Sequence, residues 1–268
     1  MTRPPKIFGL DSEGSNRTPG YPTRTIQIYS PTRQKTMLLH KPPGWTVWKI
    51  IWVDVIKALE LPVERGEEAI HRTTTTQTDD QVRSFLTNPE HGFITQNGYY
   101  DFYKISDDLG VEPNVVGDSF IYGLMMPTGP QVSKSLGNLM SRYVVNKADS
   151  GDLVVNYDKN RYGGWEDHEW DVEDLSPEAI LYASFDPYAC YVIETTLIAE
   201  YPQYNNHVYK LELDLLRALC RMQKRGVKVL EDGFAKSLFE YRQKVAHLQE
   251  QLNEKAGWVV RVGSEARS

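Results

Sequence analysis

Residues 6–14 read KIFGLDSEG, and this stretch decides the fold. Residues 6–10, with the apolar Ile7, Phe8 and Leu10, read as a short buried strand, and Asp11 ends it. Side chains two apart on a strand share a face. Asp11 and Glu13 therefore stand side by side. Two such carboxylates repel unless a cation joins them, and hard oxygen ligands suit Mg²⁺ or Mn²⁺. Alone, D-x-E is a weak signal and fits two solvated acids at a strand end better than a metal site.

Working outward, residues 25–30 (TIQIYS) and 36–40 (TMLLH) read as two more strands, split by the turn-like PTRQ. A three-stranded antiparallel start is expected. Residues 45–59 place Trp48, Trp52, Val55 and Leu59 at helical spacing, which predicts an amphipathic helix with its tryptophans in the core. The polar run at residues 73–76 reads as a loop, and residues 79–86 as a helix ending before Pro89. Residues 92–96 (GFITQ) form a strand leading into NGYYD, residues 97–101, which opens a helix to Leu109. Another helix covers residues 134–143. The acidic stretch 148–174 reads as an ordered loop or hairpin. Ser176-Pro177-Glu178 then starts a helix through Tyr182 and Asp186, with Pro187 a kink or a new turn. After Tyr204 the pattern is purely helical. One segment spans residues 208–224; another spans 234–256, with Leu238, Val245, Leu248 and Leu252 near heptad spacing.

Two further fragments carry chemistry. In NGYYD, Asp101 sits at a helix start, where an aspartate is common. In YASFD, Tyr182 and Asp186 are four apart and share a helix face, where a phenol can orient water.

Composition bounds the rest. The chain has 268 residues, 40% hydrophobic and 25% charged, with a net charge of -6. That balance fits a soluble globular protein and argues against one that coats nucleic acid by bulk positive charge. From His207 onward 12 basic residues face 8 acidic ones, a net of +4; residues 1–206 carry 18 against 28, a net of -10. Cys190 and Cys220 belong to no C-x-x-C pair, so neither a disulfide scaffold nor a zinc knuckle is expected. No apolar run approaches the roughly 20 residues of a membrane span, and MTRPPKIFGLD carries no secretory signal. The expectation is no membrane and a cytoplasmic location.

D-x-E on a first strand, N-x-x-[FY]-D, and Y-x-x-x-D on a late helix, in that order, resemble the DEDDy 3′-5′ exonucleases. The histidine variety of these enzymes places His five residues before the last Asp, where this chain has Leu181. The likeness extends along the chain. DSFIYGLMMP (residues 118–127) looks like the segment after the second motif, and SLGNLMSRYV (135–144) like the helix that follows. YKLELDLLRALCRMQKRGVKV resembles the helix that joins exonuclease to polymerase in family A DNA polymerases, with Leu219 slightly off register. GWVVRVGSEARS resembles the family's next segment, but its Phe-Asn and Ser-Pro pairs are altered.

The resemblance implies an α/β fold of the ribonuclease H-like (DnaQ-like) kind, a mixed sheet flanked by helices with a C-terminal helical extension. Residues 1–205 would be the exonuclease, and 206–268 an extension resembling the start of a polymerase domain. It also implies a proofreading enzyme that removes nucleotides from DNA 3′ ends as 5′-monophosphates. Two divalent cations, Mg²⁺ or Mn²⁺, would be held by Asp11, Glu13, Asp101 and Asp186, with Tyr182 and Glu13 orienting the water. Asn97 and Gly14 would contact the strand. Partners would be a single-stranded DNA 3′ end and a polymerase domain or subunit. The rival readings are an RNase D-like RNA exonuclease and a non-catalytic module of the same fold.

Overall fold

A computed structural model describes residues 5–14, 22–126, 133–145, 158, 160–228 and 230–260. The acidic residues 148–157, the end of the 118–127 segment and the last eight residues of the tail lie outside this set. Strands β1 (Lys6–Gly14), β2 (Thr23–Ser30), β3 (Lys35–His40), β4 (Val47–Asp54), β5 (Ile70–Thr78), β6 (His91–Thr95) and β7 (Val115–Asp118) form one sheet in the order β5-β4-β3-β2-β1-β6-β7. β1 to β5 are antiparallel neighbours in sequence, whereas β6 and β7 add to β1 in parallel. The sheet is therefore mixed, as expected.

Helices cover both faces. α1 (Val55–Glu60), α4 (Ser119–Met125), α5 (Leu136–Tyr143), α6 (Pro177–Glu200) and α7 (His207–Arg225) build one core layer, including Leu38, Ile51, Ile94, Tyr122, Ile193 and Leu213. α2 (Asp79–Leu86) and α3 (Tyr99–Leu109) close the other, over Leu10, Ile26, Leu39, Trp48 and Phe93.

Two sequence expectations are corrected. The tryptophan segment is not a helix: residues 47–54 are β4, and the helix begins only at Val55, capped by the Asp54 carboxylate accepting from Lys57 N–H. Both faces of β4 are covered, so apolar residues fall on both and mimic a helical spacing; Trp48 joins one core, while Ile51 and Val53 join the other. Residues 73–76 are not a loop but the middle of β5, an edge strand exposed along most of its length. Threonine suits a strand, and an uncovered edge has no need of apolar side chains.

The chain divides into two compact units, Met1–Lys224 and Arg225–Ser268. α7 buries Tyr209, Leu213, Leu216 and Cys220 in the core of the first unit. The second unit is built on α8 (Glu231–Ala256), none of whose residues is buried; Gly257, at φ +71°, ends it. Among the described residues no helix is long and apolar enough to cross a membrane. Both cysteines are free and buried.

One approach fixes where α6 lies. A Cβ built on Gly9 of β1 would stand 1.8 Å from the Pro187 carbonyl oxygen, so backbone meets backbone there. α6 continues through Pro187 without ending, although proline supplies no N–H to the preceding turn. In that turn the Ser184 carbonyl accepts from Thr36 Oγ1 at 2.9 Å, which ties α6 to β3 as well. Gly9→Ala should therefore force α6 off the sheet and destabilise by more than the ~1–3 kcal/mol of ordinary overpacking. Gly233→Ala in α8, whose added Cβ meets nothing closer than 3.7 Å, should be neutral or stabilising by up to ~1 kcal/mol. Urea unfolding of both variants checks this; equal stability of Gly9→Ala and wild type would contradict it.

Candidate active site

β1 presents Gly9, Asp11 and Glu13 on one face, the face that Pro187 touches. Asp186 precedes Pro187, so the contact that brings α6 onto Gly9 also delivers Asp186 beside the two acids. Asp11, Glu13 and Asp186 each offer an oxygen, and all three lie within 4.8 Å of one another. Glu13 and Asp186 are buried and Asp11 is half-buried. At such a separation each pair of carboxylates repels by about 3 kcal/mol at an effective dielectric of ~20. Three converging hard oxygens with little access to water fit a divalent cation of the Mg²⁺ or Mn²⁺ type.

Asp101 is placed differently. It lies outside the three-acid group, is buried, and accepts a hydrogen bond from Ser12 Oγ at 2.7 Å. Burial, reinforced by the charge of Asp118, pushes its carboxyl above the ordinary range, while the Ser12 bond pulls it down. Cys190, one turn after Asp186, is buried within electrostatic reach of Asp11, Asp186, Asp101 and Asp118, and its thiol is held neutral by burial and by those charges. The acids thus form one electrostatic neighbourhood around one tight trio.

Tyr182 is buried one turn before Asp186, against the rings of His168 (5.1 Å between centroids) and Trp170 (6.3 Å). His168 and Trp170, with Trp165 and the acids Glu166 and Glu169, line a cavity of about 350 Å³. Burial lowers the pKa of His168, which favours its neutral form. Leu181 turns into the core, where its Cδ1 lies 2.8 Å from the position a Cβ on Gly66 would take. Asn97 is exposed and sits in the left-handed region at φ +56°, a conformation asparagine tolerates. Gly14 ends β1 beside a register shift between Glu13 and Gly14.

Sequence reading missed Ser12 and Asp118. Asp118 is fully buried. Its carboxylate accepts from Gly98 N–H (2.7 Å), Thr95 Oγ1 (2.8 Å), Ile121 N–H (2.9 Å) and Asn97 N–H (3.2 Å). The available signal was helix capping: an aspartate opening DSFI is an N-cap, and here it caps α4. Nothing local marks its hold on residues 97 and 98. The Asp118 N–H donates to Tyr209 Oη at 2.7 Å, and that hydroxyl donates to Glu194 Oε1.

No protein-family model matches the sequence, and a search of curated proteins finds no match. Among solved structures the chain is similar to Brucella melitensis NrnC, at 13% identity and a TM-score of 0.56 over 83% of this chain and 86% of that one. NrnC has also been solved with bound Mg²⁺ and bound to pGG. Escherichia coli RNase D, an exoribonuclease involved in structured RNA processing, matches at 14% identity and 0.51 over 81% and 46%. The POL domain of Pol1 from M. smegmatis, in complex with DNA primer-template and dNTP, matches at 13% and 0.57 over 97% and 36%. The fold is the ribonuclease H-like exonuclease fold. In this chain the trio stands at the end of β1, where that strand meets α6.

The buried carboxyl of Glu194 gives a pH test of this interior. Burial first, and the Asp118 charge second, push its pKa up to about 8, against the Tyr209 hydrogen bond. Between its ordinary value of 4.5 and about 8, the folded chain holds a proton that the unfolded chain releases. Stability contributed by this group therefore falls as pH rises through that window. Glu194→Gln should flatten the fall, read as urea midpoints at pH 5 and pH 8; an unchanged pH slope would contradict the assignment.

Proposed function

We propose that the chain is a metal-dependent 3′-5′ exonuclease that hydrolyses the terminal phosphodiester of a single strand and releases nucleoside 5′-monophosphates. The observation that carries this reading is the Asp11, Glu13, Asp186 trio, with oxygens within 4.8 Å, on a ribonuclease H-like exonuclease fold. Bound divalent cations would neutralise the phosphate and stabilise the charge that develops on the attacking and leaving oxygens. Asp11, Glu13 and Asp186 would hold one. Asp11 and Asp101 would serve the second, with Ser12 setting the orientation of Asp101. Tyr182, fixed by His168 and Trp170, would orient the attacking water together with Glu13. Asn97, exposed on its left-handed turn, is the proposed contact to the terminal nucleotide, and Gly14 leaves room for a close backbone approach.

Within this reading, DNA proofreading beside a family A polymerase domain rests on the motif order and on the resemblance of α7 to the polymerase linker. RNA trimming of the RNase D kind is supported about as well, since RNase D is among the similar structures. The clustered carboxylates of the trio need cations between them and the phosphate before either polyanion can approach. A reducing cytoplasm suits the two free buried cysteines.

Digestion of 5′-labelled single-stranded DNA and RNA tests both levels. Shortening from the 3′ end should require Mg²⁺ or Mn²⁺ and stop in EDTA. Asp11→Ala should be most damaging, followed closely by Asp186→Ala and Glu13→Ala. Tyr182→Phe should fold normally and lose ~10²-fold or less, the low end of acid–base contributions. Wild-type rates in both Asp11→Ala and Asp186→Ala would exclude this site, and the preferred strand decides between proofreading and RNA trimming.

A further inference from the structure

α7 closes the first unit, and it is fastened to β7 and to α3, the helix that bears Asp101. At its start, Tyr209 is buried; its hydroxyl accepts from the Asp118 N–H at 2.7 Å and donates to Glu194 of α6. Two turns on, the Arg217 guanidinium, paired with Asp214, donates to the Val115 carbonyl at the opposite end of β7. Cys220 Sγ donates to the Tyr99 carbonyl in the first turn of α3, at 3.4 Å. Lys224 Nζ donates to the Ser106 carbonyl near the end of α3. The ties therefore reach both ends of β7 and both ends of the helix that bears Asp101.

The tie at Tyr209 has a direct path to the site. Asp118 receives the N–H groups of Asn97 and Gly98, and Gly98 is the N-cap of α3. Asp101 follows in the first turn. Removing the Tyr209 hydroxyl would leave a buried N–H of Asp118 without its acceptor and Glu194 without its donor. The unit that relaxes in response is the 97–98 turn, because its conformation, with Asn97 at φ +56°, is held by the same aspartate.

We infer that α7 is a brace for the second acidic motif and that Tyr209 is a positioning residue, acting through Asp118 to fix the Asn97–Gly98 turn and hence Asp101. The consequence for rate rests on the exonuclease reading above; the consequence for the turn does not. A displacement of ~1 Å at a catalytic group can cost ~10²-fold, so a small relaxation is visible in rate.

The test compares Tyr209→Phe with Tyr122→Phe in the full chain. Tyr122 is also buried and stacks edge-on against Tyr209, but its hydroxyl donates to the Tyr201 carbonyl and touches neither Asp118 nor the turn. Hydrogen exchange of the 97–101 amides and the kcat, KM and half-saturating Mg²⁺ for a labelled single strand are measured for both. The brace predicts at least tenfold faster exchange at Asn97 and Gly98, a kcat lowered about tenfold, unchanged KM and a higher Mg²⁺ requirement in Tyr209→Phe alone. Equal behaviour of the two variants, or unchanged exchange in Tyr209→Phe, overturns it. A wild-type chain with no metal-dependent hydrolysis sinks the exonuclease reading, and the exchange comparison then decides the brace alone. Should Tyr209→Phe fail to fold, Lys224→Met removes the tie to Ser106; faster exchange in the second half of α3 supports the brace, and unchanged exchange refutes it.

Discussion

The meeting of Gly9 with Pro187 governs the rest of the structure. Only a residue without a side chain lets α6 come so near β1 that a carbonyl oxygen occupies the place of a Cβ. The proximity sets Asp186 within a few ångströms of Asp11 and Glu13. Because α6 is also tied to β3 through Thr36 and packs Tyr188 edge-on against Tyr29 of β2, it cannot drift along the sheet. A position fixed on three strands carries Tyr182 and Asp186 together, since they lie on the same helix face.

Holding three carboxylates in such a place costs free energy, and the fold supplies it from ordinary sources. The two core layers, one under α2 and α3 and the other under α1 and α4–α7, fix the sheet from both sides. The like charges are tolerated because the surrounding groups are neutral or polarised toward them. Cys190 keeps its proton, Ser12 donates to Asp101, and Asp118 is satisfied by three backbone N–H groups and a threonine hydroxyl.

Much of the fold and the trio was legible in the sequence for local reasons. Alternation places Asp11 beside Glu13, a helical turn places Tyr182 beside Asp186, and an apolar strand precedes each of the first two motifs. The misreadings are also physical. Residues 47–54 are covered on both faces, so their tryptophans fall four apart in a strand as they would in a helix. The threonines of β5 lie on an open edge, where strand and loop share a polar composition. The bonds among Asp118, Glu194 and Tyr209 were invisible because they join residues far apart in the chain, and no local spacing announces such a contact. The same holds for the pairing of Ser12 with Asp101.

The central claim is that the trio is a cation site built into the meeting of β1 and α6. Titration of the chain with Mn²⁺, followed by electron paramagnetic resonance of the free ion, tests it without any nucleic acid. The account predicts saturable binding by wild type that is lost in Asp186→Asn, a change that keeps the side chain's shape and removes its charge. Equal Mn²⁺ binding by wild type and a folded Asp186→Asn would contradict it.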